Sequence, residues 1–144
     1  MKRRTARENA FYAAFSATFG GMDIAQVIAE GREENEKPVD EFGEKIICGY
    51  FDHSQEIDQL IEQHLKGWTM ARLPRVSLTC LRLALSELLY VPESSPSIVI
   101  NEAVELTKRF GGEDDYQFVN GILGVIVREK GIDTSMESAE TPEN

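Results

Sequence analysis

Between Ala10 and Val127 the apolar residues of this chain recur at steps of three and four, and that spacing restricts the fold more than any other feature. Such a step places successive side chains on one flank of an α-helix, whereas a half-buried strand would alternate at every second residue. Over Ala6–Phe19 the stripe is Ala10, Phe11, Ala14, Phe15 and Thr18, and Gly20-Gly21 ends it. Asp23 is placed to cap a short helix to Glu30, with Ile24, Val27 and Ile28 inward. After a polar connection over Gly31–Lys37 and a restart at Pro38, Phe42, Ile46, Ile47, Tyr50 and Phe51 form the next stripe. Asp52 or Ser54 then caps a helix carrying Ile57, Leu60, Ile61, Leu65 and Trp68.

Pro74 closes one segment, and Ser77 is expected to cap the central core helix, whose inner face is Leu78, Leu81, Leu85 and Leu88 with Cys80 and Ala84 beside it. Ser95-Pro96 supplies an N-cap and a first helical residue for the stripe Val99, Ala103, Leu106, Phe110, and Gly111-Gly112 reads as a left-handed C-cap. Asp114 or Asp115 opens the last helix, with Phe118, Val119, Ile122, Leu123, Ile126 and Val127 inward. The β-branched runs Ile98-Val99-Ile100 and Val125-Ile126-Val127 sit inside longer helical periods. The expected fold is therefore all-α, with about seven helices. Residues 1–130 are read as one helical domain built in two halves, 1–68 and 69–130. Residues 131–144 form an acidic tail expected to be disordered, because it holds four carboxylates, no cation and scarcely an apolar anchor.

Charge sharpens the functional reading. The net charge is −10, yet residues 1–20 carry +3 and leave −13 for the other 124. A basic arm is attached to an acidic body. No apolar run reaches the ~20 residues of a membrane span, and no long apolar stretch of a secretion signal follows the basic start, so a cytoplasmic protein without membrane contact is expected. Cys48 and Cys80, in apolar surroundings and without metal-ligand spacing, are read as reduced thiols.

Catalytic chemistry finds no foothold in the sequence. Neither phosphate-cradling glycine motif is present, and His53 and His64, eleven residues apart, do not form a zinc motif. The triplet Glu113-Asp114-Asp115 sits where a helix begins and reads as capping. No enzyme, cofactor or metal is expected. Recognition is what remains: Lys2, Arg3, Arg4 and Arg7 crowd a helix start, where cations oppose the dipole. The three-residue step from Arg4 to Arg7 puts those guanidiniums on one side, able to meet successive phosphates or to stack on unpaired bases.

Several motifs in order resemble the NusB family of bacterial transcription antitermination factors. They are Arg3-Arg4-Thr5-Ala6-Arg7-Glu8 with Ala13-Ala14-Phe15; Leu81-Arg82-Leu83-Ala84-Leu85-Ser86-Glu87-Leu88; Val99-Ile100-Asn101-Glu102-Ala103-Val104-Glu105-Leu106; and Phe110-Gly111 followed by Phe118-Val119-Asn120-Gly121-Ile122-Leu123. The resemblance implies a fold of two helical subdomains. It also implies a protein that pairs with the ribosomal protein NusE and binds the single-stranded boxA element of nascent ribosomal RNA, assembling an antitermination complex on RNA polymerase. By position, Lys2, Arg3, Arg4 and Arg7 match the basic RNA-binding start, Phe15 stands where a tyrosine is usual, and Phe118 matches an aromatic of the RNA surface. A phenyl ring can stack on a base but has no hydroxyl to donate. The partner protein is expected near the start of the Leu78–Leu88 helix and the turn into the Val99–Phe110 helix, at Ser77, Leu78, Arg82, Asn101 and Glu102, although Asn101, Glu102 and Asn120 suit packing roles as well. Two other readings stand beside this one. One is a homodimeric scaffold that hides the arginine helix; the other is an RNA-binding module related to the N-terminal domain of ribosomal RNA cytosine methyltransferases, for whose catalytic fold 144 residues leave no room.

Overall fold

A computed structural model describes residues 1–18, 23, 25, 26, 28, 29 and 37–132. Among them are six α-helices and no strand: α1 Arg3–Ala17, α2 Glu41–Asp52, α3 Ser54–Glu62, α4 Arg75–Tyr90, α5 Pro96–Phe110 and α6 Asp115–Glu129, with one 3₁₀ turn at Met70–Arg72. The all-α expectation holds. The Gly20-Gly21 stop, residues 24, 27 and 30 of the Asp23–Glu30 helix and the tail beyond Ile132 lie outside the described residues, while Ile28 of that helix is buried as expected. Within that short helix the Gln26 N–H does donate to Asp23 Oδ1 at 2.9 Å.

Two apolar clusters share α4 as their common wall. Ala10 and Phe11 of α1, Val39 just before α2, Ile46 and Ile47 of α2, and Cys80 and Leu83 of α4 make the first. The second is larger and joins Ile57 and Ile61 of α3, Leu81 and Leu85 of α4, Val99 and Ala103 of α5, and Val119, Ile122, Leu123 and Ile126 of α6. Two flanks of α4, one with Cys80 and Leu83 and one with Leu81, Ala84 and Leu85, thus face different clusters, which is why its sequence is apolar over most of its circumference. α2 approaches α4 closely at Gly49, where an added Cβ would clash with Ser86 Oγ. That hydroxyl in turn donates to the Ile46 carbonyl at 2.7 Å, so the contact is both tight and hydrogen-bonded.

Helix ends are where the structure departs most from sequence expectation. Asp40 caps α2 by accepting the Gly43 N–H at 2.8 Å, and Pro96 opens α5 directly after Ser95. Ser77, by contrast, is not the cap of α4: that helix begins two residues earlier, after Pro74, whose carbonyl accepts the Leu78 N–H. Neither Asp52 nor Ser54 caps α3, since Asp52 is still in α2 and His53 is the single residue between the two helices. Gly111 is extended at φ −99° rather than left-handed. It is needed for space, because a Cβ there would sit 2.8 Å from the Thr107 carbonyl oxygen. Asp114 precedes α6 without a side-chain cap bond, and Asp115 instead accepts the Gly112 N–H at 2.8 Å. α3 stops at Glu62, so Trp68 is not the last member of its buried stripe: it is 60% exposed.

Candidate nucleic-acid interface

α1 starts with Lys2 at its N-cap and has no acidic residue in its first turn, so its own sequence leaves the positive end of the helix dipole unanswered. The compensating charge comes from other helices. Arg4 donates from Nε and Nη2 to the Glu102 carboxylate of α5 at 3.0–3.2 Å, and Arg7 makes the same fork with Glu87 of α4 at 2.6–3.1 Å. A planar guanidinium meeting a carboxylate in this two-point way fixes orientation as well as distance.

The two pairs differ in their access to water. Arg7 and Glu87 are 7% and 3% exposed, and Ser94 Oγ donates a further bond to Glu87 Oε2 at 2.6 Å. The expectation that Arg4 and Arg7 both face a ligand therefore fails for Arg7. One face of α1, carrying Arg7, Ala10 and Phe11, covers α4, and a guanidinium on that face is stable only if a carboxylate meets it. Arg4 keeps 64% of its side chain exposed over a Glu102 that is 8% exposed. Its hydrogen bonds and charge contact with Glu102 raise the Arg4 pKa further above its ordinary value. Arg3 lies with its guanidinium 4.7 Å from the Phe42 ring centre, and Arg7 covers the same ring at 5.3 Å. Further along α1, Arg109 of α5 reaches Glu8 at 2.6 Å. The outward cationic surface of the helix start consists of Lys2, Arg3 and Arg4.

Of the aromatic candidates, Phe15 is half-buried and stacks on Phe11 at 5.5 Å between ring centres, with Phe110 on the other side of Phe11. Phe118 is half-buried at the start of α6, in a groove shared with Trp68 and His64 to which α1 contributes nothing. The fold therefore places the arginine start and Phe118 in separate surface features.

The expected partner residues also divide. Ser77 is fully buried, and its hydroxyl is the one buried side-chain polar atom without a hydrogen-bond partner among the described residues. It cannot meet a partner through its side chain, because its position in the first turn of α4 points into the core. Glu102 is likewise turned inward and serves Arg4. Leu78 is half-buried, and Arg82 forms a two-point pair with Asp58 at 3.0 Å, above the Tyr50 ring. Asn101 and Asn120 are exposed and line one groove between α5 and α6, which does not fit a packing role for their amides. Burial pushes the Cys80 thiol up to about 11, consistent with a core thiol, and Cys48 is also unbridged. The described residues hold no cluster of metal-ligating side chains and no helix long and apolar enough to cross a membrane.

Fold and site together define an all-helical domain with a cationic helix start held against an acidic body. The sequence profile of the NusB family matches residues 4–128, and the chain belongs to that family. The transcription antitermination protein NusB of Lysinibacillus sphaericus (strain C3-41) is 42% identical over 130 residues, covering 90% of this chain and all of that protein. The NusB structure of T. maritima superposes with a TM-score of 0.80 at 34% identity, covering 90% of this chain and 92% of that one. A chain from the complex of antitermination factors NusB and NusE with dsRNA does so at 0.74 and 30% identity, covering 88% and 96%.

Trp68 is one of the residues whose place the sequence did not foretell. Its signal was Gly67: a glycine just before an apolar residue near a helix end can reverse the chain and turn that residue outward, and here Gly67 has φ +85°.

Proposed function

We propose that this protein is a transcription antitermination factor that works with NusE to bind boxA of nascent ribosomal RNA, within an RNA polymerase antitermination complex in the cytoplasm. The observation that carries this reading is the exposed Arg4, oriented by a buried carboxylate beside Lys2 and Arg3 on a chain of net charge −10. Family membership and the relative solved with NusE and dsRNA support the choice of partners. RNA contact is assigned to Lys2, Arg3, Arg4 and Phe118, with Phe15 stiffening α1 through its stack and Arg7 fixing the helix from beneath. NusE contact is assigned to Leu78, Arg82 and Asn101 in the 69–130 half, with Ser77 and Glu102 as internal supports.

The mechanism follows from how few cations face outward. Three phosphate contacts on a single strand give a salt slope of only about −2, taking ~0.7 per phosphate. Affinity must therefore be completed by a basic partner steered to the acidic body, which extends the positive surface. Titration of boxA RNA with and without NusE tests this. Tighter binding with NusE, at a steeper salt slope than the protein gives alone, is the expected result; equal affinity in both titrations overturns the cooperative mechanism.

A further inference from the structure

Trp68 is the most exposed of the Phe, Tyr and Trp side chains among the described residues, and its exposure is built into the fold. On one side of it Leu65 is buried in the larger core cluster, and on the other Leu73 is buried in the same cluster. Between these anchors Gly67, with φ +85° and no atom within 4 Å of where a Cβ would stand, is required for its backbone turn and not for space. The turn is tied from both ends of the His64 ring, whose Nδ1 meets the Leu60 carbonyl at 2.8 Å and whose Nε2 meets Glu129 of α6 at 2.7 Å. A large indole pinned outward in this way is not a frayed core residue.

The indole borders a groove of about 680 Å³ between this turn and α6, with Phe118 in it, the Gln63 and Gln117 amides on it and Lys66 beside it. We infer that Trp68 and Phe118 form a platform for unpaired RNA bases, separate from the arginine start. The chemistry favours a nucleic acid over a protein segment. Aromatic faces accept any base by stacking, amides can bond base edges, and the lysine suits a phosphate. The one carboxylate of the groove, Glu129, is already engaged by His64 and so repels phosphate less. Gly121, with open space above it, lets a flat ligand approach the α6 backbone. The inference rests on the RNA-binding reading above and adds a second contact surface to it.

Trp68 is the only tryptophan in the chain, so the site reports on itself. The experiment adds a fluorescently labelled single-stranded boxA oligonucleotide to the full chain with NusE present. Label anisotropy follows binding, while indole emission and acrylamide quenching, corrected for NusE alone, follow Trp68. Emission should change along the binding curve and acrylamide access should fall. Trp68→Ala should weaken binding about ten-fold and Trp68→Phe much less, both with unchanged helical circular dichroism. If the RNA binds but emission and access do not move, or if NusE alone produces the whole change, the platform is overturned and the RNA reading stands. If no RNA binds in the presence of NusE, the RNA reading itself is overturned, and the platform with it.

Discussion

Arg4 and Arg7 stand one helical turn apart on α1 and grip their carboxylates with the same pairs of atoms, yet one pair is open and the other sealed. The difference shows how one short basic motif can do two jobs. The sealed pair joins α1 to α4 and, through Ser94, to the turn before α5; the open pair holds a guanidinium at the surface in a fixed orientation. A buried ion pair owes its stability to being complete, whereas an exposed one adds little to folding and leaves its cation available.

The largest expected break in this comparison is Arg7→Ala. It leaves Glu87 charged in the core with only Ser94 as donor and should cost about 3–5 kcal/mol in chemical denaturation. The double variant Arg7→Met with Glu87→Leu should recover much of that loss, because the same volume is then filled without charge. Recovery of nothing would show that shape, and not charge, ties α1 to α4. Arg4→Ala should do the reverse. Denaturation should shift by less than about 1 kcal/mol, while boxA binding in the presence of NusE should weaken roughly ten-fold, as for loss of one charge-assisted bond.

Ser77→Ala extends the comparison to a sealed group that has no partner. Deleting a buried, unbonded hydroxyl should leave stability unchanged or raise it by up to about 1 kcal/mol, and NusE affinity should not change. A clear loss of NusE binding in this variant would restore Ser77 to the interface.

The smallest effect concerns another open pair, His64–Glu129. The His64 pKa is raised above 6.5, first by its bond to the Leu60 carbonyl and then by Glu129. A raised folded pKa means that the added stability is fully present below the unfolded value and is lost as pH rises through the folded one. Glu129 is 61% exposed, so the gain is screened by solvent and should stay under about 1 kcal/mol. Stability of the native chain relative to His64→Gln should therefore decline from pH 6 to pH 8. A flat difference over that range would remove the imidazolium from the tie between α3 and α6.

Much of the fold was legible because helical periodicity and end signals are local. Pro96 behind Ser95 and the stripes through Ile57–Ile61 and Val119–Ile126 all report short-range geometry. The misreadings at Ser77, Gly111 and Trp68 share a cause. In each, a residue suited to one local role was claimed by a distant neighbour or by its own backbone turn: Ser77 by the core, Gly111 by the Thr107 carbonyl, Trp68 by the Gly67 reversal. The candidate site was legible as residue types but not as an arrangement. Lys2, Arg3, Arg4 and Phe118 could be named from motifs, but nothing in their spacing says that Phe118 shares a groove with Trp68 and not with α1.

The sequence by itself determined that the chain is helical, where most of its apolar faces lie, and that its positive charge is concentrated at one helix start. Tertiary structure alone decided which arginine stays at the surface and which becomes a buried strut. The reason is distance along the chain: Glu102 and Glu87 lie 98 and 80 residues from the arginines they hold, and helical periodicity cannot say which face of α1 a distant carboxylate will meet.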